Sequence, residues 1–256
     1  MPLPSFDRAE VFLLVLVRCL TFWSVGPVLA DRKIPPSIKL LGGLATAIVV
    51  WPAVDASAWT PERTLLGLAV VAAREVIIGA ALGLTASLVF LGVRMAGSLL
   101  GVQMGFSFAN VIDPNTSTEV SVVGEMEELL AVFLFLLVDG HHLLFRALHF
   151  SMERVPPGSA VDLPGLTAAL LPMAGTVFVT MIQIGAPILG ALFLTDAALG
   201  FVARAVPQMN VFIVGIPVKI AAGLLLMLFT APLFARILTY HFNALGPQLT
   251  TILGGM

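Results

Sequence analysis

Charge is what this chain has least of: Asp, Glu, Lys and Arg together make up 11% of its 256 residues, less than half the roughly 25% of a soluble domain. With 59% apolar residues and a mean hydropathy of +1.04, that shortage excludes an ordinary water-soluble protein and a disordered one. The 13 basic residues are outnumbered by 15 acids and stand mostly singly, so no basic stripe exists to neutralise a phosphate backbone, and nucleic acid is not an expected partner. Only one cysteine is present, Cys19. It cannot form an internal disulfide or supply a zinc cluster, and it reads as a small packing residue in an apolar run. Catalytic signatures are missing as well: there is no HExxH, no GxSxG, no phosphate-cradling GxxxxGK[ST] and no GxGxxG after a strand, so an enzyme is not expected. Asp139, His141, His142 and His149 offer metal donors on paper, but adjacent histidines on a helix point about 100° apart and no second cluster adds ligands. The expectation there is a polar turn, with no metal and no cofactor.

What is present is a series of long apolar runs broken by short polar links, which predicts an all-α protein of membrane-type helical hairpins. Residues 11–30 can span a bilayer as a retained helix. Val28-Leu29-Ala30 before Asp31 resembles a signal cleavage site, but the charges at Asp7, Arg8, Glu10 and Arg18 and the length of the run argue against removal. The link 31–36, with Arg32 and Lys33, is the most basic connection and is expected on the cytoplasmic side, leaving the amino terminus outside. Residues 38–54 form a shorter run, and 65–109 hold only three charges, Arg74, Glu75 and Arg94, predicting two packed helices or one long bent one. Residues 129–150, interrupted by Asp139-Gly140-His141-His142, read as two half-length helices. Residues 166–194 carry no charge and 211–235 carry only Lys219. Pro172, Pro187, Pro217 and Pro232 inside these last runs each free a carbonyl that needs a partner, so broken helices packed against protein are expected. Gly79 and Gly83, and the series Gly97, Gly101 and Gly105, stand four apart, a spacing that lets helix backbones approach closely.

Charges inside the apolar runs, Arg18, Arg74, Glu75, Arg94 and Lys219, need partners or water. Residues 110–128 hold five acids and no base, Asp113, Glu119, Glu125, Glu127 and Glu128, so this stretch is expected to reach water or an aqueous lumen. Thr116 and Glu119 have capping-box spacing. Beyond them Val122, Met126, Leu129, Phe133 and Leu137 fall on one face of the following helix. Just before the acids, Met104, Phe106 and Phe108 flank Gly105. Two readings stay open there: helix packing that runs into a loop, or a mobile apolar constriction that closes an aqueous path by excluding water.

Two stretches carry a resemblance. Gln103-Met104-Gly105-Phe106-Ser107-Phe108-Ala109-Asn110-Val111-Ile112-Asp113-Pro114 and Pro207-Gln208-Met209-Asn210-Val211-Phe212-Ile213-Val214-Gly215-Ile216-Pro217 resemble, in order, the signature segments of the FliR family of flagellar type III export-gate proteins. The resemblance covers nearly the whole chain. It implies one domain over 1–256 with a FliP-like part, about 1–165, and a FliQ-like hairpin, 166–256. One copy would complete a helical ring around a channel with FliP and FliQ, associated with FlhB and FlhA. Unfolded flagellar proteins would be the cargo, and the setting the inner membrane at the flagellar basal body, projecting toward the periplasm and touching lipid. It also implies a plug loop over 105–122, with Phe106, Phe108, Val111 and Ile112 obstructing, Gly105 as hinge, and Ser107, Asp113 and Pro114 in the same segment. Arg74, Glu75, Arg94, Pro207, Gln208, Asn210, Gly215, Pro217 and Lys219 become candidates for partner contacts. The Glu125, Glu127 and Glu128 run is more acidic than the family pattern. Virulence type III secretion gates are an alternative within this class. A small-molecule secondary transporter is an alternative outside it, and would require a convergent polar pocket and inverted repeats.

Overall fold

The computed structural model describes residues 5–27, 30, 34–54, 64–106, 121–208 and 210–256, with the side chains of 5–8, 53, 211 and 212 left aside. Among these residues the fold is all helical: α1 (Ser5–Val25), α2 (Pro36–Val50) with a 3-10 turn at Trp51–Ala53, α3 (Leu65–Met104), α4 (Val122–Leu137), α5 (Gly140–Arg154), α6 (Leu163–Ala205) and α7 (Val211–Gly254). Three of them, α3, α6 and α7, are long and apolar enough to cross a membrane, and the α4–α5 pair, bent by 70°, is a fourth candidate if taken as one broken span. The helix over the first apolar run stops at Val25 and is not among these candidates. It carries Arg18 fully buried, so protein surrounds that side chain.

The prolines act differently from expectation. α6 continues through Pro172 and Pro187, and α7 through Pro217 and Pro232. The break falls instead at Asp139, whose left-handed φ of 57° is the one positive value at a non-glycine among the described residues. The stretch 65–104 is a single helix of 40 residues, about 60 Å long at 1.5 Å per residue.

The helices form two compact units. The first gathers residues 1–88, 139–175 and 242–256. In α1 the buried side chains include Val11, Leu14, Val15, Arg18, Cys19, Phe22 and Trp23, a stripe at three- and four-residue spacing, so Arg18 occupies a core position of an otherwise apolar face. Each of its three guanidinium nitrogens has an acceptor. Nε donates to Glu75 Oε2 at 2.6 Å, one terminal nitrogen donates to the carbonyl of Ser151 at 3.0 Å, and the other to the carbonyl of Val155 at 2.9 Å. The second carboxylate oxygen of Glu75 accepts the Gly158 amide at 2.9 Å. One ion pair thus ties α1 to α3, and the same guanidinium supplies a donor to the Val155 carbonyl just past α5 and a second donor to the Ser151 carbonyl, which already accepts the Val155 amide at 3.0 Å.

Close backbone approach surrounds this clamp. A Cβ on Gly79 would stand 2.6 Å from the Arg18 carbonyl oxygen, and one on Gly83 would stand 2.7 Å from that of Phe22. α1 and α2 are joined by Trp23, whose indole donates to Thr46 Oγ1 at 3.0 Å and stacks edge-on against Phe145.

The second unit gathers residues 89–138 and 176–241. α3 and α4 meet here through paired glycines: a Cβ on Gly97 would lie 2.6 Å from the Gly124 Cα, and one on Gly101 2.6 Å from Ser121 Oγ. In α4 Val123, Gly124, Glu127, Ala131 and Phe135 are buried, whereas Val122, Met126, Leu129, Phe133 and Leu137 are exposed. The helix is apolar on both faces, so periodicity could not tell the protein-facing side from the outer one. Arg94 and Glu128 form a two-bond pair, Nε to Oε2 at 2.7 Å.

Candidate functional site

The signature stretch that begins at Gln103 starts where α3 ends. The Gly105 amide donates to Val102 O and the Phe106 amide to Gly101 O, at 3.1 and 3.0 Å, with Gly105 at φ +95°. That pair of bonds is a Schellman cap, which satisfies helix-end carbonyls and requires a left-handed residue at the position Gly105 holds. Phe106 is half-buried and packs on a cluster of Leu100, Met104, Val123, Ile188 and Leu192.

The chain re-enters helix at Ser121. Its hydroxyl accepts the Gly124 amide at 3.2 Å as an N-cap and donates to Gly97 O at 3.2 Å. Exit and return are therefore anchored side by side: Gly101, which caps the outgoing end through Phe106, also touches Ser121 at the incoming end. Ser107, Phe108, Val111, Ile112, Asp113 and Pro114, and the Thr116–Glu119 cap, lie outside the described residues.

A polar group braces the outgoing end. Asp196 of α6 accepts from Gln103 Nε2 at 3.0 Å and pairs with Lys219 of α7 at 2.9 Å. The acid that neutralises Lys219 was missed in the sequence because it lies just past the charge-free run and 23 residues ahead of its partner, a separation that no helical period reveals.

The remaining candidates are scattered. Glu75 is fully buried and spent on Arg18 and Gly158 within the first unit, which leaves it no surface to offer; Arg74, its neighbour, is half-buried. Pro207, Gln208 and Asn210 are exposed in the turn before α7, Pro217 is exposed on it, and Gly215 is buried. The Asp139, His141 and His142 donor atoms lie within 4.8 Å of one another, and the two imidazoles are 4.2 Å apart. Both histidines lie in the first turn of α5, directly after Asp139 with its left-handed φ. His149 is engaged elsewhere, 3.5 Å from Glu153.

The geometry describes a scaffold with no reaction centre among these residues: apolar helices that exceed a bilayer in length, with a segment held at both ends. Residues 9–245 match the family described as Bacterial export proteins, family 1, and the chain belongs to that family. It is 33% identical over 227 residues to the flagellar biosynthetic protein FliR of Bacillus subtilis, covering 87% of this chain and 86% of that one. It is 29% identical over 238 residues to FliR of Escherichia coli, covering 93% and 90%.

The cap makes a local prediction. Gly105→Val is expected to destabilise the last turn of α3 by about 1–2 kcal/mol, the cost of a left-handed side-chain-bearing residue. A Cβ there would meet Ile216 only at 3.5 Å, so conformation and not collision sets the effect. Hydrogen exchange at the amides of residues 105 and 106 should speed up about ten-fold. Unchanged exchange would show that this turn does not depend on glycine.

Proposed function

We propose that the chain is a structural, pore-forming subunit of a flagellar type III protein export gate, which passes unfolded flagellar subunits across the inner membrane and acts without catalysis of its own. The observation that carries this reading is the pair of anchors: α3 ends in the Gly105 cap and α4 begins at Ser121 beside it, with 14 residues between Phe106 and Ser121, numbered 107–120 and including Phe108, Val111 and Ile112. Bulky apolar side chains on a segment fixed at its base can block a water-filled path by excluding water from it, and can give way without unfolding its supports. Phe106, Phe108, Val111 and Ile112 supply the obstruction, with Ser107, Asp113 and Pro114 shaping the segment. Gly105 is the point from which it swings.

The partners follow from the same reading. FliP and FliQ would complete the ring, FlhB and FlhA would dock on the assembly, and a FliP-like part over about 1–165 with a FliQ-like hairpin over 166–256 would place one copy within it. Arg74, Arg94, Pro207, Gln208, Asn210, Gly215, Pro217 and Lys219 are the contacts proposed toward them, and Gly79, Gly83, Gly97 and Gly101 the close-packing positions. Helices of 40, 43 and 44 residues are twice what a bilayer requires, which supports a body that projects beyond the lipid, toward the periplasm at the basal body. The relatives named as flagellar proteins favour the flagellar over the virulence assignment.

A strain lacking the chain is expected to retain flagellin in the cytoplasm and build no filaments, with both restored by the gene supplied in trans. Filaments of normal number in that strain would contradict the proposal.

A further inference from the structure

Asp196 is the only acid in the 43 residues of α6, and α7 holds just two strong bases, Lys219 and Arg236. A charge on so apolar a helix is costly to hold, and Asp196 and Lys219 offset one another: Lys219 Nζ lies 2.9 Å from Asp196 Oδ1 and 3.1 Å from Oδ2. Mutual neutralisation would be reason enough for the pair, but it does not account for Gln103. The Gln103 side-chain amide of α3 donates to the same Oδ2 at 3.0 Å. One carboxylate on α6 therefore receives α3 and α7 together, one turn from the Gly105 cap.

This tie stands at the end of a longer seam. Further back on α3, a Cβ on Gly92 would lie 2.8 Å from the Val177 carbonyl oxygen of α6, and from Gly92 to Gln103 is about 16 Å of helix. Along that length Leu100 and Met104 pack with Ile188 and Leu192 of α6, and Met104 fills the space that Gly223 of α7 leaves free, where a Cβ would collide with it. Those contacts are buried and hold by shape. The Asp196 group is different in kind, because its side chains are 38% exposed at Asp196 and 20% at Lys219, whereas the Arg18–Glu75 pair is wholly inaccessible. Water reaches the group, so its bonds break and re-form at little cost.

Resting on the export-gate reading, we propose that Asp196 is a positioning residue of the gate. Held by Lys219 on one side and bonded to Gln103 on the other, it fixes the last turn of α3 against α6 and α7, and so sets where the segment after Phe106 starts. A shift of α6 or α7 that draws the carboxylate away releases that turn, while the buried seam from Gly92 to Met104 stays packed. Movement of the two long helices thus reaches the outgoing anchor through one side chain.

The test uses the gate assembled from full-length subunits in membranes. Gln103→Leu removes the bond from α3 and leaves the Asp196–Lys219 pair in place, so a pair that served only to neutralise charge would be unaffected. The expected result is an assembled gate in which the amides of residues 105 and 106 exchange about ten-fold faster and the ion leak rises about ten-fold, as loss of a hydrogen bond to a charged group implies. Gln103→Glu combined with Asp196→Asn moves the carboxylate from α6 to α3 and keeps one acid, one base and one amide in the group. That pair of changes should return both readings toward the parent. Parent-like exchange and leak in Gln103→Leu, its failure to assemble, or no recovery in the exchanged pair would overturn the positioning role. If Gln103→Leu is tight while deletion of residues 105–113 leaks, the gate reading stands without it; a deletion that is tight as well would overturn the gate reading itself.

Discussion

Arg18→Met is expected to destabilise the first unit by about 3–5 kcal/mol, the range found when one partner of a buried pair is removed and the other stays charged. The magnitude follows from what is left behind. Arg18 and Glu75 are both wholly inaccessible, and the guanidinium also donates to the carbonyls of Ser151 and Val155, so its loss strands a carboxylate and takes the donor from Val155 O, while Ser151 O keeps the Val155 amide. Most native domains are stable by only about 5–15 kcal/mol, so the variant should fall to low steady-state levels and unfold at markedly lower temperature when purified in detergent. Arg18→Met with Glu75→Gln should recover much of the loss, because the stranded charge has gone, although the Val155 carbonyl still lacks the donor that Arg18 supplied. If the single variant were as stable as the parent, the clamp would not be what joins α1, α3 and α5. A double variant no better than the single one would show that the stranded carboxylate is not the main cost.

The second large effect is expected from deleting residues 105–113. If the segment closes a conduit, its removal leaves an aqueous path that no other element seals, and cells carrying the deletion should leak ions and grow poorly when the variant is induced, with open-channel conductance measurable in reconstituted gates. The anchors themselves would be altered at one end only, since Ser121 keeps its N-cap bond to Gly124 and its bond to Gly97 O. A conductance no greater than that of the intact gate would remove the plug assignment, whatever became of export.

The clamp and the strap illustrate what the chain makes legible and what it hides. All-helical structure follows directly from the apolar runs, and the bend at 139–140 was visible as a polar interruption in residues 129–150. Arg18 and Glu75 were recognisable as charges that needed partners, but they are 57 residues apart, and only the fold could pair them. Proline positions misled. In α6 and α7 the helix carries on through each of them, because the missing bond is one among many in a helix of more than 40 residues, whereas Asp139-Gly140 reverses the chain through backbone conformation. The faces of α4 were not legible for a different reason: an amphipathic pattern identifies a buried side only when the other side meets water, and here the outer face is as apolar as the inner one. The resemblance makes Gly105 a hinge of the plug loop. Its observed role at the end of α3 is a cap, and the two descriptions meet in the same property, access to positive φ.

The account rests on this chain being built to stand among other polypeptides around a passage. Gentle extraction of the native complex, followed by mass measurement of the intact particle, tests that most directly. The prediction is a particle several times heavier than the 27.0 kDa chain, containing one copy of it with multiple copies of other export-gate subunits. A stable particle holding this chain by itself, with only lipid or detergent around it, would contradict the account.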